Sequence, residues 1–178
     1  LDPRPDSETL IEAVIEARKE GLGAQGRKFK ILDLGTGTGC LLLALLHDMP
    51  NATGLGIDIA PRAIEQANKN AFALDLQSRA EFRIGDWFCG IEQKFDIIVS
   101  NPPYVLSAEI PTLMREVRDY DPLKALDGGT DGFAPYRSLI PHVAKFLNPS
   151  GFVAFEVGYG QAQTVADMLR RNGFKNVA

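Results

Sequence analysis

The sequence predicts an α/β domain in which a mostly parallel sheet carries helices on both faces. Two observations predict it. Short β-rich runs alternate with stretches of helical periodicity. A glycine-rich turn also joins the first of those runs to the helix after it. The 178 residues, 45% hydrophobic and 24% charged, suit one globular domain with a sizeable core and are too few for two full domains.

Each element follows in order. Asp6 or Ser7 can cap a first helix whose apolar face is Leu10, Ile11, Val14 and Ile15, ending near Gly21. Phe29–Leu34 reads as a buried strand, and Cys40–Asp48 as a helix stopped by Pro50. Residues 53–57 form a second strand with Asp58 at its carboxyl end. Pro61 can open the next helix, where Ile64, Ala67, Ala71 and Leu74 recur at helical spacing. Ala80–Ile84 and Phe95–Ser100 are strands three and four. From residue 101 to 136, five prolines and Gly128, Gly129 and Gly132 predict a long loop, a feature that in a compact domain is usually functional. A helix over 136–147, a strand over 152–157 and a helix over 161–171 come next, and residues 174–177 start a further strand.

Composition excludes several function classes. The longest apolar run, residues 40–46, is far short of the roughly 20 residues a membrane helix needs, so a soluble protein is expected. Asp2, Asp6, Glu8 and Glu12 exclude a signal peptide at this end, and a start at Leu1 suggests a piece of a longer chain. The net charge of −4 offers no basic excess for a phosphate backbone, which demotes nucleic acid as the main partner. Cys40 and Cys89 have no metal spacing; packed, reduced thiols in an intracellular compartment are expected. His47 and His142 read as surface or packing residues, and no metal site is predicted.

Asp33-Leu34-Gly35-Thr36-Gly37-Thr38-Gly39 sets three alternating glycines between a strand and a helix. Such turns sit at the carboxyl edge of doubly wound sheets, where ligands bind. Asp58, 23 positions beyond Gly35, can accept both hydroxyls of a ribose. Alone, the turn could be empty and Asp58 a helix cap; together they point to a nucleoside. A dinucleotide fingerprint would want glycine where Cys40 stands, and Asp33 is poor company for a diphosphate. A ligand with a cationic end, such as S-adenosylmethionine, suits the site better. Asp86 could accept from an adenine amine and Trp87 could wall the ring, although Trp87 could equally be core.

After strand four comes Asn101-Pro102-Pro103-Tyr104. Two prolines stiffen the backbone, remove two N–H donors and push Asn101 toward an extended conformation. The Asn101 side-chain oxygen and the Pro102 carbonyl can then each accept one hydrogen of an –NH2 group, with Tyr104 as an aromatic wall.

These residues resemble the class I S-adenosylmethionine-dependent methyltransferases, with a Rossmann-like fold, in which NPPY marks enzymes acting on planar –NH2 nitrogens. The segment Pro3-Arg4-Pro5-Asp6-Ser7-Glu8 resembles the entry to the catalytic domain of the peptide chain release factor glutamine methyltransferases. So do Tyr120-Asp121-Pro122, Ala125-Leu126, Gly128-Gly129, Asp131-Gly132 and Tyr136-Arg137 in the long loop, and Glu156-Val157-Gly158 with Gln161. The resemblance implies methylation of the glutamine amide in a release factor's Gly-Gly-Gln motif. Asp33, Gly35, Thr36, Gly37, Thr38, Gly39, Asp58, Asp86, Trp87 and Asn101 would hold the cofactor, and Asn101, Pro102, Pro103 and Tyr104 the substrate glutamine. Arg4 and the 120–136 loop would help close the site. Asp121 stands where that family has glutamate.

The family's amino-terminal helical docking domain and its closing strand lie outside the matched residues, so residues 1–178 are expected to be a catalytic-domain piece. A release factor is the expected partner, with no membrane, a monomeric state and a cytoplasmic or organellar location. A nucleic acid amine methyltransferase and a non-enzymatic interaction domain of the same fold, including a dinucleotide binder, are the competing readings.

Overall fold

The computed structural model of the protein describes residues 5–21, 28–120 and 122–178. They divide into two compact units, Leu1–Asn101 with Lys145–Glu156, and Pro102–Ala144 with Val157–Ala178.

The first unit carries the sheet. Its strands are β1 (Phe29–Leu34), β2 (Ala52–Asp58), β3 (Ala80–Ile84), β4 (Phe95–Ser100) and β5 (Leu147–Phe155). All neighbours are parallel, in the order β3-β2-β1-β4-β5. The winding thus reverses between β1 and β4, and ligand crevices of open α/β sheets lie beyond the carboxyl ends of the strands at such a point. The central strands show why they are central. Every residue of β4 is buried, and all but one of β1, the continuous apolar character of strands covered on both faces. Edge strand β3 buries only Phe82, while exposed Glu81 and Arg83 pair at 2.6 Å, a charged edge that discourages further pairing.

Helices α1 (Pro5–Lys19), α2 (Cys40–Asp48) and α3 (Pro61–Ala73) share one core cluster with the sheet. Leu10 and Val14, Leu42 and Leu46, and Ile64 and Ala67 meet Ile31, Phe82, Ile97 and Val99 there. Sheet residues of the other parity, Leu32, Leu34, Leu55, Ile57 and Ile98, are buried as well. Arg79 donates to the carbonyls of Leu46 (2.8 Å), Met49 (3.2 Å) and Ala52 (3.1 Å), tying the end of α2 to the start of β2.

In the second unit the predicted loop folds back on the chain leaving NPPY. Val105 N–H donates to the Leu126 carbonyl (3.0 Å) and Gly128 N–H to the Val105 carbonyl (2.8 Å). Asp127 accepts from the Ser107 hydroxyl (2.6 Å) and the Gly129 N–H (2.9 Å). This stretch also holds α4 (Arg115–Tyr120) and two short 3-10 turns; α5 (Ala134–Phe146) and α6 (Ala162–Arg171) follow.

Several expectations need correction. Pro5 is already helical, so neither Asp6 nor Ser7 caps α1; Ser7 turns its hydroxyl elsewhere. Leu74 is the carboxyl-terminal cap of α3, just past its last helical residue, and is 56% exposed. β5 starts at Leu147 and ends at Phe155, earlier than 152–157. Residues 174–177 form no strand, since they find no neighbour to pair with among the described residues. Cys40 is half-buried and Cys89 exposed rather than packed, both as free thiols. His47 and His142 are exposed. Among the described residues, no helix is long and apolar enough to cross a membrane and no acidic, His and Cys cluster could hold a metal.

Candidate active site

The glycine turn of the first unit is built as its sequence requires. Gly35, Gly37 and Gly39 take φ of +72°, +56° and +80°, a region that costs a Cβ-bearing residue. Gly39 is doubly constrained, because a Cβ there would come within 2.8 Å of the Phe82 ring. The N–H groups of Gly35 and Thr36 both donate to the Ile57 carbonyl at 2.9 Å, which ties the turn to β2. Gly39 also stands at the amino-terminal end of α2 with no side-chain cap, so that end presents backbone donors.

Asp58 lies where β2 ends. Its Oδ2 accepts the Gly37 N–H and its Oδ1 the Ala60 N–H, both at 2.8 Å. Each carboxylate oxygen has a second lone pair, so this half-buried group keeps acceptor capacity for hydroxyls. Gly85 N–H donates to the Asp58 carbonyl at 3.0 Å, which brings the start of Gly85-Asp86-Trp87 to the same edge. Asp86 is exposed and Trp87 half-buried. Trp87 holds φ +46°, a left-handed conformation uncommon for a bulky residue and one that persists only where its surroundings fix it. Its ring lies 3.5 Å from where a Cβ on Gly35 would stand, over the turn. Nothing lies within 4 Å of the same position on Gly37, so the turn is open there.

Asp33 is 1% exposed and accepts a 2.6 Å hydrogen bond from the Thr36 hydroxyl. Burial is the main force raising its pKa to about 7; the Thr36 bond opposes the rise and the nearby Asp58 charge adds to it. A positive group placed on the turn would favour the ionised form. Thr38 shares a 3.1 Å contact with the Cys40 thiol, and its carbonyl accepts from Asn70 Nδ2 at 2.9 Å.

Leu34 and Ser100 are register partners in β1 and β4. Gly35 and Asn101 therefore leave adjacent strands one residue beyond a paired position, and the buried Ser100 hydroxyl donates to the Leu34 carbonyl (2.6 Å) to hold that junction. Asn101 Nδ2 lies 3.4 Å from Ser7 Oγ, whose hydroxyl donates to Glu156 Oε2 at 2.8 Å.

Pro102, Pro103 and Tyr104 begin the second unit. Pro102 is buried, Pro103 and Tyr104 half-buried. The Tyr104 backbone runs through a sleeve of glycines: a Cβ on Gly128 or Gly132 would come within 2.8 Å of it, and one on Gly158 within 2.9 Å of the Tyr104 ring. Gln161 closes the sleeve, donating to the carbonyls of Tyr104 (3.1 Å) and Gly132 (3.4 Å) while accepting from the Gly158 N–H (3.0 Å).

Of the predicted cofactor set, Asp33, Gly35 to Gly39, Asp58 and Trp87 are thus gathered at one sheet edge, with Asp86 beside them and Asn101 one residue beyond the end of neighbouring β4. Arg4 and Asp121 lie outside the described residues. The roles of Ser7, Glu156 and Gln161 escape residue-by-residue reading, because each has a partner 57 or more positions away. A surface cavity of about 360 Å³ around Thr53, Arg79 and Gln93 lies at the opposite, amino-terminal edge of the sheet, away from these groups.

Residues 26–156 match the family model described as a methyltransferase domain. The chain is 55% identical over 173 residues to a protein of Rhodospirillum rubrum named release factor glutamine methyltransferase, covering 97% of this chain and 51% of that one. It is 47% identical over 169 residues to a protein of the same name from Bradyrhizobium diazoefficiens, covering 95% and 56%. The chain thus spans little more than half the length of these relatives. Among solved structures, ribosomal protein L11 methylase from Lactobacillus delbrueckii subsp. bulgaricus superposes with a TM-score of 0.63 at 24% identity, over 97% of this chain and 71% of that one, a likeness of fold.

Proposed function

The chain belongs to the methyltransferase domain family, and from that premise we propose that it is the catalytic part of a release factor glutamine methyltransferase. The reading rests on one observation above all. The glycine turn and Asn101 leave adjacent parallel strands one residue beyond the Leu34–Ser100 pair, so a nucleoside-binding turn and an amide-accepting side chain issue from neighbouring strand ends. The substrate assignment is supported by the names of relatives at 55% and 47% identity.

The residues at the turn fit S-adenosylmethionine. Open space at Gly37 leaves room for a ligand against the backbone. Asp58 would take the ribose hydroxyls, Asp86 and Trp87 the adenine, and the Asp33 side would favour the positively charged methionine end. When bound, S-adenosylmethionine supplies a sulfonium methyl and leaves as S-adenosylhomocysteine, while the amide nitrogen gains the methyl and loses one proton to solvent.

Asn101 Oδ1 and the Pro102 carbonyl would each accept one hydrogen of the glutamine amide, and Tyr104 would wall the same nitrogen. An amide nitrogen is a weak nucleophile because its lone pair is shared with the carbonyl. Orientation is therefore the main contribution, and well-positioned pairs gain roughly 7–11 kcal/mol from it. Two acceptors on the N–H groups add a polarising term as positive charge develops on nitrogen. The release factor is the proposed partner and the cytoplasm or an organelle the proposed location, with the chain acting as a monomer.

Incubation with labelled S-adenosylmethionine and a release factor tests the reading. Label should enter the protein carrying Gly-Gly-Gln and not its Gln→Ala variant; equal labelling of both refutes it. Asn101→Ala should lower the transfer rate by at least about a hundredfold with the cofactor Kd within about threefold of wild type. Parallel loss of both would remove Asn101 from the substrate grip.

A further inference from the structure

We propose that Ser7 is a positioning residue that fixes which way round the Asn101 amide lies, so that its oxygen, not its nitrogen, is offered to the substrate. The inference rests on the proposed function, and its observations all lie within the first unit.

Asn101 and Glu156 stand next to each other by construction. Ser100 and Phe155 are register partners of β4 and β5, and the Glu156 N–H donates to the Ser100 carbonyl at 3.0 Å. Each residue is therefore the first beyond its strand. Ser7, in the first turns of α1, touches both, from 94 positions before Asn101 and 149 before Glu156. Glu156 is 6% exposed.

A serine hydroxyl has a single hydrogen and two acceptor lone pairs, whereas a carboxylate only accepts. The 2.8 Å contact to Glu156 Oε2 therefore takes the Ser7 proton. Toward Asn101 the Ser7 oxygen can then only accept, and the amide must present Nδ2, as it does at 3.4 Å. The reversed amide would set two oxygens against each other. With Nδ2 held by Ser7, Oδ1 points away from Ser7 as the free acceptor an –NH2 substrate needs. A contact of 3.4 Å is at the long end of hydrogen bonding, and such contacts commonly tighten once substrate is bound.

Ser7→Ala and Ser7→Thr test this by two readouts. The first is the side-chain amide resonance of Asn101 in the cofactor-loaded chain, identified by its loss in Asn101→Asp. It should move in Ser7→Ala and stay near its wild-type position in Ser7→Thr, which keeps the hydroxyl. The second is methylation of the release factor. Ser7→Ala should lower kcat about ten- to a hundredfold with cofactor Kd unchanged, and Ser7→Thr should stay within about threefold of wild type. An unmoved resonance with wild-type kcat in Ser7→Ala overturns the inference, as does equal damage by Thr and Ala. If the wild-type chain does not methylate a release factor, the functional reading fails on its own, and the resonance still decides the role of Ser7.

Discussion

Asp33 shows how much a single buried carboxyl can govern. Burial holds its pKa at about 7 against an ordinary 3.8, so between those values the folded chain keeps a proton that the unfolded chain has released. Each rise in pH through that window therefore favours unfolding, and the loss is complete above about pH 7. Asp33→Asn lacks this term. From pH 4 to pH 8, wild type should lose stability relative to Asp33→Asn by an amount on the order of a few kcal/mol, read from urea midpoints at each pH. Parallel profiles for the two proteins would contradict the assignment. At this scale the sequence was partly legible. Spacing alone placed Asp58 at the end of β2, and adjacency to the turn singled out Asp33. That Trp87 lies over Gly35 in a left-handed conformation was not legible, because it depends on a turn after β3 whose shape no local pattern specifies.

Elements repeat the contrast. β1, α2, β3 and β4 were readable to the residue: β1, α2 and β4 are mostly apolar runs, β3 alternates apolar and charged residues, and Gly39, Gly85 and Asn101-Pro102 mark where neighbouring turns begin or end. The stretch after NPPY was readable only as a proline-rich interruption. Its order comes from pairing between Val105 and residues 126–128, and from Gln161, which reaches back 57 positions to Tyr104. Gln161 is 7% exposed and serves three backbone groups at once. Gln161→Ala leaves those groups without that partner and should cost about 1–3 kcal/mol by chemical denaturation. Gln161→Glu should cost more, because a carboxylate would face two carbonyl oxygens. A change under about 0.5 kcal/mol in both variants would show that the glycine sleeve around Tyr104 holds without the clamp. The final predicted strand failed for the converse reason: residues 174–177 have strand-like composition, but a strand exists only through its neighbour.

For the molecule as a whole, the parallel order β3-β2-β1-β4-β5 decides where chemistry can occur, by setting the glycine turn and Asn101 at the point where the winding reverses. The net charge of −4 fits a protein rather than a phosphate backbone as the methyl acceptor. In the proposed reaction the methyl group goes to one amide nitrogen, held by Asn101 and Pro102. The most direct test is tandem mass spectrometry of a release factor after incubation with this chain and S-adenosylmethionine. A single methyl is expected on the side-chain nitrogen of the Gly-Gly-Gln glutamine, absent when Asn101→Ala replaces the wild-type chain. A methyl found on any other residue, or transferred to a nucleic acid base while the release factor stays unmodified, would contradict it.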